Sequence, residues 1–168
     1  MSKSKYRLED FLTLVDTDCK GIVLAIHEMM GREGYKLKIN LTKLYGLHVS
    51  YSQPKIKTVK GIIVYLLIKN GKLMIRINAD NHANYPDVLN RLPQIVLNQM
   101  DKADDCVKMI DPRKCWKGCM GYDFRIGERH YQKCLITCFF FGLDSDTFPF
   151  LIDLIKSESK ERCALYAQ

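Results

Sequence analysis

Cysteine is the residue type in this chain whose spacing carries the most chemistry. Seven occur in 168 residues, and four of them form two pairs, Cys115-x3-Cys119 and Cys134-x3-Cys138. Paired thiolates are ordinary ligands for structural zinc, although the usual pairs hold two intervening residues in a tight knuckle. The same residues fit two other chemistries. They are buried reduced thiols that pack as small hydrophobes, or they are a redox or disulfide set. A thiolate nucleophile would need a base, and His130 is the histidine closest in sequence to the second pair.

For these thiols to act together, the backbone must turn them to one side. Tyr122 to Ile126 reads as a strand, Gly127-Glu128 as a type II′ turn, and the chain from there to about Leu143 as a long return strand. That turn pairs Ile126 with Arg129, Phe124 with Tyr131 and Gly121 with Cys134, and it sets Cys119 opposite Ile136. Alternation then sends all four thiols and His130 to one face. On an extended strand Cys134 and Cys138 stand about 13 Å apart, at roughly 3.3 Å per residue, so one tetrahedral ion needs a bulge or bend. Gly118 and the stretch Asp111-Pro112-Arg113 offer irregular backbone for it. Cys115, Cys119, Cys134 and Cys138 are therefore the candidate metal ligands, with zinc the candidate ion. The series Cys134, Ile136, Cys138 and Phe140 reads equally as plain core. Cys19, at helical spacing from Ile22, Val23 and Ile26, reads as core, and Cys106 and Cys163 have no partner signal.

Three pieces of this region, Lys108-Met109-Ile110-Asp111-Pro112-Arg113-Lys114-Cys115, Met120-Gly121-Tyr122-Asp123-Phe124 and Lys133-Cys134, together resemble a group of small uncharacterised bacterial proteins. The resemblance covers about the last third of the chain and implies no activity.

The strongest structural signal lies upstream. Asn70-Gly71 supplies the positive φ angles of a type I′ turn and pairs Lys69 with Lys72, making a hairpin of about 61–79. In that register Ile62, Val64, Leu66, Ile68, Leu73, Ile75, Ile77 and Ala79 share a core face. Ile63, Tyr65, Leu67, Met74, Arg76, Asn78 and Asp80 share the other, which is mixed in character. Tyr65, Met74 and Arg76 on that mixed face are the candidate ligand surface.

Helical spacing from Leu8 to Met30, interrupted by Asp16-Thr17-Asp18, predicts two N-terminal helices ended by Gly31 and Gly34. Short strands are expected at Lys36 to Asn40 and Leu47 to Ser52. Further helices are expected over 85–101, broken or kinked at Pro93, and over 147–162, with Pro149 in the first turn. The whole predicts an α+β fold with a twisted antiparallel sheet built from two β-hairpins, about 61–79 and 121–142, in a single domain over 1–168. The units 60–101 and 117–163 repeat a hairpin-then-helix plan. In architecture alone this plan is similar to small ligand-binding domains of the GyrI-like kind, which bind amphipathic molecules on a sheet.

Composition narrows the function classes. The net charge is +7, from 26 basic and 19 acidic residues. Basic residues concentrate at Arg32, Lys36, Lys38, Lys43, Lys55, Lys57 and Lys60, with a second excess around Arg113, Lys114 and Lys133. Trp116, Lys117, Arg125 and Arg129 are the candidate nucleic-acid contacts. The longest apolar run falls short of a membrane span, and the first residues lack the apolar core of a signal peptide, so a cytoplasmic protein with reduced thiols is expected. His27-Glu28 lacks the second histidine of the zinc-protease helix motif, since Gly31 stands in its place. No phosphate-binding loop, dinucleotide fingerprint or serine nucleophile elbow is present. Three functions remain: a small ligand- or partner-binding regulatory domain, a metal-stabilised nucleic-acid binder, and a cysteine- or metal-dependent enzyme.

Overall fold

The computed structural model describes residues 5–56, 61–115 and 119–166. Short helix α1, Leu8–Leu12, leads into α2, Thr17–Arg32. The Asp10 carboxylate accepts the Arg7 backbone N–H at 2.7 Å, which satisfies one of the donors a helix start leaves unpaired. The predicted break at Asp16 separates the two helices.

A five-stranded antiparallel sheet follows, in the order β1-β2-β3-β4-β7. Its strands are β1 Lys36–Thr42, β2 Gly46–Ser52, β3 Ile62–Lys69, β4 Lys72–Ile77 and, much later in the chain, β7 Phe140–Gly142. The β3–β4 turn is as predicted: Asn70 and Gly71 have φ of 53° and 73°, and Lys69 pairs with Lys72. Pro93 divides the next helical stretch into α3, Pro86–Asn90, and α4, Gln94–Asp101. Helix α5, Val107–Ile110, precedes a second hairpin of β5, Tyr122–Ile126, and β6, Arg129–Lys133, which forms its own two-stranded ribbon. Helix α6, Phe148–Tyr166, closes the chain. The α+β class and both hairpins agree with the sequence expectation. No helix among the described residues is long and apolar enough to cross a membrane.

Register assigns the two faces of the main sheet. The cross-strand row Ile39, Val49, Leu66, Ile75 and Phe141 joins one core with Phe11, Val23, Ile26 and Met30 from the N-terminal helices and Leu151, Leu154 and Ile155 from α6. The next row along, Lys38, Ser50, Tyr65, Arg76 and Phe140, lies on the opposite face by strand alternation.

The second hairpin differs from expectation in one respect that matters. Pairing ends at Tyr122 with Lys133, and the long return strand stops there. From Cys134 the backbone makes a turn, with the Cys138 N–H donating to the Cys134 carbonyl at 3.0 Å, before β7 joins the main sheet. Residues 104–106 run along the edge of β6 opposite β5. The Cys106 N–H bonds the Gln132 carbonyl at 3.0 Å, and the Cys134 N–H bonds the Asp104 carbonyl at 2.8 Å, so residues 104–106 occupy a side of β6. The Lys133 ammonium holds this junction, donating to the Asp101 and Ala103 carbonyls and to the Asp105 carboxylate at 2.8–3.2 Å.

The ribbon is anchored by aromatics. The Tyr122 ring meets Phe139 edge-on at 4.8 Å, Phe124 stacks on Tyr131 at 5.2 Å and on Phe139 at 5.6 Å, and the Tyr122 hydroxyl accepts the Ala79 N–H at 3.2 Å. Across the core, Glu158 and Arg162 of α6 form a buried polar knot. The Glu158 carboxylate takes hydrogen bonds from the Tyr85 hydroxyl at 2.7 Å, the Asn81 backbone and side chain, and Arg162 Nε at 2.7 Å. Arg162 Nη2 continues to the Asn78 carbonyl and the Asp80 carboxylate, both at 2.8 Å. This knot ties α6 to the segment that leaves β4.

Candidate functional site

The sheet face turned away from the helical core carries a groove of about 430 Å³, lined by Leu44, Tyr45, Tyr65, Leu67, Ile68, Lys69, Arg76, Ile136, Thr137 and Phe140. That size is within the range of small-molecule sites. Three separate pieces of chain build it. The floor comes from β3 and β4, where Tyr65 pairs with Arg76, and from β7, where Phe140 pairs with Arg76 on the other side. One wall is the three-residue β1–β2 connection, which carries Leu44 and Tyr45 and ends at Gly46 with φ of 62°. The facing rim is the turn after β6, which carries Ile136 and Thr137. The Thr137 hydroxyl accepts the Asp104 N–H at 3.2 Å, which holds that turn in place.

Arg76 is the central polar residue. Its guanidinium lies over the Tyr65 ring at 4.2 Å, and Nη1 donates to the Tyr45 hydroxyl at 3.3 Å. Among the described residues its Nε–H is buried without a hydrogen-bond partner and Arg76 makes no ion pair. Burial raises the Tyr65 phenol above its ordinary value, and the adjacent Arg76 charge partly offsets this. The Lys69 ammonium stands 5.4 Å from the centre of the Phe140 ring. His48, buried behind Tyr45 and Tyr65, packs edge-on against the Tyr45 ring at 5.7 Å.

Of the candidate ligand surface, Tyr65 and Arg76 line the groove. Met74 is on the same face one row further along, paired with Leu67 and Gly142, and does not line it.

The four paired cysteines occupy different surroundings. Cys138 is wholly buried in the main core, and burial pushes its thiol well above the ordinary range. Cys119 is buried, while Cys115 and Cys134 are half-buried. Among the described residues no three His, Cys, Asp or Glu side chains gather in a way that could hold a metal ion. Strand parity was the reason for grouping the thiols, and parity ends with the ladder at Lys133. The turn sends Cys138 into the core, while Ile136 and Phe140, which shared its expected face, reach the groove. His130 stays on the exposed face of the ribbon, bonded to Asp123 at 2.6 Å.

Of the candidate nucleic-acid contacts, Trp116 and Lys117 lie outside the described residues, as do Lys57 and Lys60 of the basic stretch and Gly118 of the expected bend. Arg125 is exposed on the ribbon. Arg129 is held by Asp101 at 3.2 Å and Gln94 at 3.4 Å.

No family model, curated protein or solved structure matches the chain. The site is therefore read from its geometry. Leu44, Tyr45, Ile136, Thr137 and Phe140 were not among the sequence candidates, and they come from segments far apart in the chain. For Tyr45 and Leu44 the available signal was a short turn between two amphipathic strands, which marks a loop and says nothing of which groove the loop borders.

Proposed function

We propose that the chain is a small-molecule-binding domain whose ligand occupies the groove over Tyr65, Arg76 and Phe140. The observation that supports this reading is the groove itself. Apolar side chains from three segments surround a volume of about 430 Å³ on the sheet face away from the helical core, with a few polar groups converging at one side. Leu44 is 78% exposed and Ile136 49% exposed at its rims, so apolar surface stands open to water where a ligand would cover it. A regulatory or carrier role follows from this better than catalysis, because the described residues that line the groove include no carboxylate, histidine or thiol to act as base or nucleophile.

The test is amide NMR of the labelled protein titrated with 1-octanol, a neutral apolar probe. Each buried methylene contributes about 0.8 kcal/mol, so an eight-carbon chain half covered by the groove should bind with a dissociation constant on the order of millimolar. Shifts should concentrate on Leu44, Tyr65, Leu67, Ile136 and Phe140, and Ile136→Asp should weaken them by placing a charge on the apolar rim. Shifts scattered over the surface, or centred elsewhere, would refute the groove as the binding site.

A further inference from the structure

We infer that the groove selects an amphipathic anion, a small organic acid whose apolar body lies along Leu67, Ile136 and Phe140 and whose negatively charged head pairs with Arg76. The inference rests on the groove being a ligand site and adds the chemical sign of the ligand. Its first ground is an incomplete ion. A guanidinium has five N–H donors in a rigid fork that matches a carboxylate. Among the described residues, one Arg76 donor serves the neutral Tyr45 hydroxyl and Nε–H is buried unpaired, while no carboxylate is in ion-pair range. A partly desolvated cation without a counter-ion is costly, and an anion in the groove would relieve that cost.

The second ground is the sign of every polar group in the lining. Arg76 and Lys69 are cations, and Tyr45, Tyr65 and Thr137 carry hydroxyls. Among the described residues no aspartate or glutamate lines the groove. An ammonium ligand would meet two like charges with no acceptor carboxylate to compensate. A neutral ligand could accept a hydrogen bond from Arg76 but would bring no counter-charge to it. The third ground is that the cation is rigidly placed. Stacking on Tyr65 and the bond to Tyr45 hold the guanidinium where the head of a ligand would arrive, so little side-chain freedom is lost on binding.

The experiment is calorimetric titration of the full chain with three probes of equal length, octanoate, 1-octanol and octylammonium, at about 0.15 M and again at about 0.5 M salt. Octanoate should bind about ten- to a hundredfold more tightly than octanol, as expected for a charge-assisted hydrogen bond in a sheltered site, and octylammonium more weakly than either. Because the chain carries +7 overall, the preference must be shown to be local. Arg76→Gln should bring octanoate down to the octanol value, whereas Lys156→Gln, the same change of net charge on an exposed position of α6, should leave the preference in place. Arg76→Lys keeps the charge without the fork and should retain an intermediate preference. Equal binding of octanoate and octanol by the native chain would overturn the anion inference while leaving the groove standing, and that result needs no variant to fold. An octanoate preference that persists undiminished in folded Arg76→Gln would also overturn it. Failure of all three probes to bind would refute the groove reading, and the inference with it.

Discussion

Replacing Gly121 with alanine tests the packing between the cysteine-bearing segment and the ribbon. Gly121 has φ of 67°, in the left-handed region where a Cβ costs about 1–2 kcal/mol. A Cβ added there would also overlap the Cys106 sulfur, and it would come within 3.1 Å of the Cys106 Cβ and 3.0 Å of the Met109 methyl. The methionine end can yield, but Cys106 is buried and its backbone is bonded to β6. Overpacking of this kind costs about 1–3 kcal/mol, so Gly121→Ala should destabilise the fold by about 2–5 kcal/mol. The decisive measurement is a double-mutant cycle with Cys106→Ala by urea unfolding. Removing the sulfur vacates the space the new methyl needs, so the steric part of the loss should be recovered and the backbone part should remain. The coupling should favour the double variant by about 1–3 kcal/mol. If Gly121→Ala lies within about 0.5 kcal/mol of the native chain, or if the two changes are additive, the described contact between residues 106 and 121 is wrong.

Two further outcomes follow from buried groups. Glu158→Ala should cost about 3–5 kcal/mol in urea unfolding, because it strips a wholly buried carboxylate from Tyr85, Asn81 and Arg162; a loss under about 1 kcal/mol would mean that the knot does not hold α6. In native protein at pH 8, Cys138 should resist alkylation, because burial keeps its thiol protonated, while half-exposed Cys115 and Cys134 react. The same preparation tests the zinc expectation: about one zinc per chain by elemental analysis, lost in Cys138→Ala, would bear it out, and metal-free protein of unchanged stability in chelator would leave the thiols as packing groups.

Much of the fold was legible because it depends on local pattern. Asn70-Gly71 set the register of β3 with β4, since that turn demands positive φ at two positions, and period-2 alternation then separated Leu66 and Ile75 from Tyr65 and Arg76. Pro93 broke its helix because it has no N–H to donate and clashes with the preceding turn. The same local logic misplaced Cys138. It extended the second ladder past Lys133, because nothing near Cys134 announces the turn that begins there, whose first N–H is bonded to Asp104, thirty positions earlier. Beyond that turn, face assignments by parity lose their meaning.

The candidate site divides along the same line. Tyr65 and Arg76 could be named from one hairpin, because a charged and an aromatic residue stood on a face that alternation left without a core role. That Arg76 is half-enclosed, stacked on Tyr65, and short of a counter-ion among the described residues depends on Tyr45 from one turn, Ile136 from another and Phe140 from the last strand. Side-chain type and spacing settle which face a residue takes within its own element, because backbone geometry there repeats every two or 3.6 residues. Which distant segment closes over that face is decided by tertiary packing, and with it whether a cation is left waiting for a partner.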